Sequence, residues 1–254
     1  MCAHAPGPFG QAEGADPEIE FVPSMKTNRF AAVLFDLDGT LIDTAPDLVA
    51  ALNWAMAKQG LKQVAGETIR SLIGDGARAM IRKGFALTGT APEASRIETA
   101  LTDFLSFYEA HIADLSQPFA GAEECLGQLK ARGLKLGLCT NKSERLSRKL
   151  MGILGLADHF AVVAGGDSFP ERKPHPGHLL RTLEKMRADP QTAVMVGDSA
   201  NDGDAARGAG LPFVAVSFGY GPSPAATSKP DRVITRLAEL PQALDELARL
   251  PPWP

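Results

Sequence analysis

No apolar run in this 254-residue chain approaches the roughly 20 residues that cross a bilayer, so no helical membrane span is expected. Cysteine is scarce. Cys2, Cys125 and Cys139 are scattered and form no C-x-x-C pair, which fits reduced thiols in a cytoplasmic protein. A net charge of −4 gives no electrostatic case for nucleic acid as a partner. The five histidines show no metal-ligand spacing, and His175 beside Lys173 is assigned a structural or solvent role. The amino terminus lacks both the basic and the apolar regions of a secretory signal. It is rich in Pro, Gly and acid and buries too little to order itself, so residues 1–28 are expected to be a disordered tail. Met25, just before the first strand, is a candidate natural start.

Against these absences stands FDLDGTLIDT, Phe35 to Thr44. The apolar run Ala31 to Phe35 reads as a buried strand that ends in Asp36, with Asp38 two positions on. Two like charges so close repel, and a divalent cation with a taste for oxygen, Mg²⁺, is the usual offset. An acidic turn after a strand accounts equally well for an isolated D-x-D-G. From Ala45 to about Leu115 the pattern is helical, with no convincing strand. Leu48, Leu52, Ala55 and Met56 share one face of a helix that Gly60 closes. ARAMIRKGFAL forms a second helix, and Ile97, Leu101, Phe104, Tyr108 and Ile112 line a third that runs to Leu115. These stripes are helix packing, and the block 45–116 is a small bundle inserted after the first strand.

From Gln117-Pro118 onward strands and helices alternate: LKLGLCT, HFAVVAGG, TAVMVGD, PFVAVSF and a short strand near Val233, each followed or preceded by an amphipathic helix. Near-continuous apolar strands argue for a parallel sheet covered on both faces. The predicted fold class is therefore α/β, a Rossmann-like core made of 29–44 and 117–254. Ligands in such sheets bind beyond the carboxyl ends of the strands. Those ends carry Asp36, Thr140-Asn141 and Asp198, with Lys173 in the loop after the third strand and Asp202 four residues beyond Asp198. Thr140 or Asp198 alone could be a helix cap, and Lys173 alone a solvated loop residue. Together, in order, they make a site for a phosphate and its metal. Gly74 to Ala79 formally fits a dinucleotide fingerprint, but a helix rather than a strand precedes it, so that reading is rejected. DSANDG fails as a Ca²⁺ loop because Ala200 and Ala209 stand where oxygen ligands belong.

FDLDGT, the CTNK segment, RKPHP and GDSAND resemble, in order, the four motifs of the haloacid dehalogenase-like hydrolase superfamily. Asp38 resembles the carboxylate that separates its Mg²⁺-dependent phosphatases and phosphomutases from its dehalogenases. GTLIDTAPDL, IGDGA and the late SFGY look most similar to the bacterial phosphoglycolate phosphatases. The resemblance implies Asp36 as nucleophile, Asp38 as general acid and base, and Mg²⁺ held by Asp36, the Asp38 carbonyl and Asp198. Thr140, the Asn141 amide and Lys173 would hold the phosphoryl group, and Asp202 would orient Lys173 or a metal-bound water. The helical block would be a cap hinged near Asp43-Thr44 and Gln117-Pro118. Arg78, after the glycine-rich IGDGA, would reach a carboxylate on the leaving group. The implied partner is a small phosphorylated metabolite, 2-phosphoglycolate first, and the protein a monomer or small homo-oligomer. An amino-sugar 6-phosphate phosphatase, a phosphomutase and a silent binding module are the alternatives.

Overall fold

The computed structural model describes residues 1–3, 29–221 and 229–251. The tail expected over 1–28 therefore lies almost wholly outside the described residues. Six parallel strands form the core sheet: β1 (Ala32–Phe35), β4 (Lys135–Cys139), β5 (Val162–Ala164), β6 (Ala193–Gly197), β7 (Phe213–Val216) and β8 (Arg232–Ile234), in the order β5-β4-β1-β6-β7-β8. The order reverses about β1, and Phe35 lies in register with Leu138 on one side and Val196 on the other. Asp36 consequently leaves the sheet at the crevice where such folds bind ligands.

Strand periodicity divides the core into two layers. Val33, Phe35, Leu136, Leu138, Val194 and Val196 face one way, toward α5 (Ala122–Ala131), α6 (Glu144–Ile153) and α9 (Leu240–Leu247). Ala32, Leu34, Ala193 and Met195 face the other, toward α7 (Gly177–Met186) and α8 (Ala200–Gly208). Each large aliphatic or aromatic side chain so buried contributes about 1.5–3 kcal/mol. Two expected strands come out shorter. HFAVVAGG is strand only over Val162–Ala164, because Ala157–His159 is a 3₁₀ turn and this edge strand pairs with β4 alone. The last helix begins in a 3₁₀ turn, Leu237–Glu239, with Pro241 in its first turn.

A two-stranded antiparallel ribbon, β2 (Ile42–Asp43) and β3 (Gln117–Pro118), carries the chain out of the core and back. Between them lie α1 (Ala45–Lys58), α2 (Gly66–Arg70), α3 (Ala77–Leu87) and α4 (Ala94–Ala110). Gly60, at φ +70°, ends α1 by donating to Ala57, while Leu61 donates to Met56. Met56, Ile81, Phe85, Phe104 and Tyr108 fill the bundle. Leu101 is only half-buried. The third helix stops at Ala110 rather than Leu115, because Asp47 on α1 draws in the amides of Leu115 (3.1 Å) and Ser116 (2.8 Å) and turns the chain back toward β3.

Gly165 lets the turn after β5 press against the start of α6. A Cβ there would fall 2.6 Å from Glu144 Cα and 2.7 Å from the Lys142 carbonyl, both backbone. Gly165→Ala should therefore cost about 1–3 kcal/mol, read as a lower urea midpoint. An unchanged midpoint would show that this contact yields freely.

Candidate active site

Asp36, Thr140, Lys173, Asp198 and Asp202 converge at the carboxyl edge of the sheet, all buried. Lys173 is the hub. Its ammonium lies 2.6 Å from Asp202 Oδ1, to which it donates, and 2.8 Å from Asp36 Oδ1. The second approach is an ion pair without hydrogen-bond alignment, so this buried Asp36 oxygen has no donor. Burial works against charge on Lys173, but Asp202 and Asp36 overcome it and raise its pKa. Asp202 also accepts from the amide (3.0 Å) and hydroxyl (2.6 Å) of Ser199, in a capping box at the start of α8. Its carboxylate is thus fixed from both sides before any ligand arrives.

Burial pushes Asp36 up to about 6; Lys173 pulls it back, while Asp202 and Asp38 add repulsion. Burial pushes Asp198 to about 8, with Asp202 and Asp36 adding to the rise and the Tyr220 amide, 2.7 Å from Oδ2, opposing it. Ligand oxygens of Asp36, Asp198 and Asp202 all lie within 4.8 Å of one another. Hard carboxylate oxygens so close, with only Lys173 among the described residues to offset three buried acids, fit a divalent cation. Gly39, at φ +86°, makes room: a Cβ there would run into the Asp198 carboxylate and come within 2.9 Å of the Tyr220 ring.

Asp38 has partners of its own. Thr44 Oγ1 donates to it at 2.7 Å, and Lys142 Nζ reaches its two oxygens at 2.8 and 3.0 Å. The Lys142 ammonium also lies 4.7 Å from the centre of the Tyr108 ring on α4. Lys142, third residue of TNK, has no role in the sequence reading, although its place beside Thr140 was a usable signal. Tyr220 of SFGY is a second such residue. Its hydroxyl donates to Asp43 at 2.7 Å and accepts from the Ala45 amide at 2.9 Å, so it ties Asp198 to the ribbon. The Asn141 side chain donates to the carbonyls of Gly74 (2.9 Å) and Lys173 (3.0 Å), and Asn201 donates to Asp75 (2.7 Å). The IGDGA loop is thereby docked on the core.

Under that loop is a cavity of about 270 Å³, with Asp36, Asp38, Thr140 and Asn141 on the core side and Gly76, Arg78 and Tyr108 on the helical side. Known small-molecule sites span about 300–1,000 Å³, so this one suits a small ligand. Arg78 lines it, but its guanidinium is ion-paired with Glu98 on α4.

The haloacid dehalogenase-like hydrolase family model matches residues 33–216, from β1 through β7. The chain belongs to that family. The hydrolase is 42% identical over 224 residues to the phosphoglycolate phosphatase of Caulobacter vibrioides, covering 88% of this chain and 94% of that protein. It is 44% identical over 213 residues to the phosphoglycolate phosphatase of Agrobacterium fabrum, covering 84% and 91%. The crystal structure of a predicted phosphoglycolate phosphatase from Haemophilus somnus superposes with a TM-score of 0.81 at 29% identity, covering 85% and 99%. The hydrolase is a phosphoric monoester hydrolase, a phosphatase of this family. No described helix is long and apolar enough to cross a membrane.

Acids with a raised folded-state pKa stabilise the fold at low pH and lose that contribution as pH rises through the folded value. Asp36 does so up to about pH 6 and Asp198 up to about 8. His178, which burial lowers from 6.5 to about 4, has the opposite sign below 6.5. Between pH 6.5 and 8 Asp198 is left to dominate. With a chelator present, stability should fall across that window by at most about 1.4 kcal/mol per pH unit, and Asp198→Asn should flatten the slope. Thermal melts in EDTA at pH 6.5 and 8.0 measure this, and a wild-type midpoint that holds or rises contradicts it.

Proposed function

We propose that the hydrolase converts 2-phosphoglycolate to glycolate and inorganic phosphate through an aspartyl-phosphate on Asp36. The observation that carries this reading is the placing of Asp36, held by Lys173 and with one oxygen lacking a donor, beneath a small cavity that Asp38 also lines. The names of relatives at 42 and 44% identity support the choice of substrate.

In the first step an Asp36 carboxylate oxygen attacks phosphorus in line, and the bond from phosphorus to the glycolate oxygen breaks. The Asp38 carboxyl gives its proton to the departing alkoxide. In the second step the Asp38 carboxylate takes a proton from water as its oxygen attacks phosphorus, and the Asp36 carboxylate leaves. A group in this double role is worth about 10²–10⁴ in rate. Thr44 and Lys142 fix the direction in which Asp38 points. Lys173, Thr140 and the Asn141 amide face the phosphoryl oxygens, and Asp202 holds Lys173 in place. Asp36, the Asp38 carbonyl and Asp198 would hold Mg²⁺, which when bound offsets the charge between carboxylate and phosphate. The helical insertion acts as a cap on the β2–β3 ribbon and keeps bulk water from the phosphorylated intermediate.

Asp36→Asn should abolish phosphate release from 2-phosphoglycolate while leaving the melting temperature near that of wild type. Turnover above about 1% of wild type in freshly purified, non-deamidated protein would remove the nucleophile assignment. Asp198→Ala should raise the Mg²⁺ concentration giving half-maximal rate at least tenfold, because one of few protein ligands is lost. Full wild-type activity in excess EDTA would end the metal assignment.

A further inference from the structure

Four cations line the cavity: Arg78, Lys142, Arg145 and Arg172. Three are neutralised where they stand. Arg78 pairs with Glu98, Lys142 with Asp38 at 2.8 Å, and Arg145 reaches Glu109 through both terminal guanidinium nitrogens, one of them at 2.8 Å. Arg172 is different. Among the described residues no carboxylate lies within ion-pair distance of it. Asp75, whose carboxylate feels the Arg172 charge, is already held by Lys83 at 2.6 Å and Asn201 at 2.7 Å.

The position of Arg172 gives this charge a purpose. It is the covalent neighbour of Lys173, so the core sets its place relative to Asp36. Its guanidinium meets the helical insertion at Gly76, where a Cβ would lie 3.6 Å from a terminal nitrogen and 3.4 Å from the Asn141 carbonyl. Glycine at that point suits the backbone, whose φ of +86° L side chains rarely adopt, and the turn so made sets the cap backbone beside the guanidinium. Arg172 therefore lines the cavity where the core and the helical insertion meet.

We infer that Arg172 selects the substrate by binding a carboxylate on the leaving group. The inference rests on the phosphatase reading above and moves the recognition of that carboxylate from Arg78 to Arg172. The chemistry agrees. In 2-phosphoglycolate one methylene and the ester oxygen separate the carboxylate from phosphorus, and adjacent residues, Lys173 and Arg172, meet the two anionic ends. A guanidinium fork matches carboxylate geometry, which a lysine does not. Arg78 would have to give up Glu98 before it could do the same.

The test compares 2-phosphoglycolate with 2-hydroxyethyl phosphate, which keeps an alkyl leaving group and lacks the carboxylate. Wild type should prefer the first. Arg172→Ala should lower kcat/KM for 2-phosphoglycolate about tenfold to a hundredfold, mostly through KM, and alter that for 2-hydroxyethyl phosphate less than about threefold. Arg172→Lys should fall between wild type and Arg172→Ala. Equal losses on both substrates would mean a disturbed Lys173 and overturn the inference, as would unchanged kinetics on both. A wild type that hydrolyses 2-hydroxyethyl phosphate at least as well as 2-phosphoglycolate overturns it too, while leaving the phosphatase chemistry standing. A wild type that releases phosphate from neither substrate overturns both.

Discussion

The two ion pairs of Lys173, to Asp202 at 2.6 Å and to Asp36 at 2.8 Å, hold together a cluster that would otherwise push itself apart. Three carboxylates crowd the carboxyl edge of a parallel sheet, and burial strips them of the water that would screen them. The fold meets this with fixed donors: the Ser199 amide and hydroxyl on Asp202, the Tyr220 amide on Asp198, the Lys173 ammonium between strands. One oxygen of Asp36 is left without a donor. That oxygen, which Lys173 approaches as an ion pair without hydrogen-bond alignment, belongs to the carboxylate we propose as the nucleophile. Packing energy, supplied by the two apolar layers of the sheet, sustains that imbalance.

The same group of side chains reaches beyond the chemistry. Tyr220 touches Asp198 through its backbone and Asp43 through its hydroxyl. Arg70 on α2 adds an ion pair to Asp43 at 3.2 Å and places its guanidinium 5.1 Å from the centre of the Tyr220 ring. Lys142 in turn joins Asp38 to the Tyr108 ring of α4. The carboxylates of the site and the inserted helices thus share two short polar connections, one through Tyr220 and one through Lys142.

Much of this was legible in the residues because strand periodicity and strand ends are local signals. A run such as Ala31 to Phe35 declares itself a buried strand, and the rule that ligands sit beyond strand ends then picks out Asp36, Thr140 and Asp198. Helix faces were readable for the same reason, as Phe104 and Tyr108 show. What stayed hidden depends on register between distant segments. The Lys142–Asp38 pair joins residues 104 apart in sequence. Arg78 looks free in the sequence, and only the packing of α3 against α4 reveals Glu98 beside it. The early end of α4 is likewise a tertiary effect, since helical propensity continues past Ala110 and Asp47 overrides it.

The β2–β3 ribbon makes exit and return of the chain neighbours, with Asp43 opposite Gln117 and Ile42 opposite Pro118. The core therefore experiences everything between as a single closed loop. Loop-closure entropy grows only with the logarithm of length, about 0.6 kcal/mol for each doubling. By this entropy alone, helices could be lengthened within that loop at little cost to the sheet, provided the two register pairs and the packing of the bundle on the core survive. Selectivity carried on the insertion is then free to change as a module, whereas Arg172, fixed to the strand-end machinery by its bond to Lys173, is not.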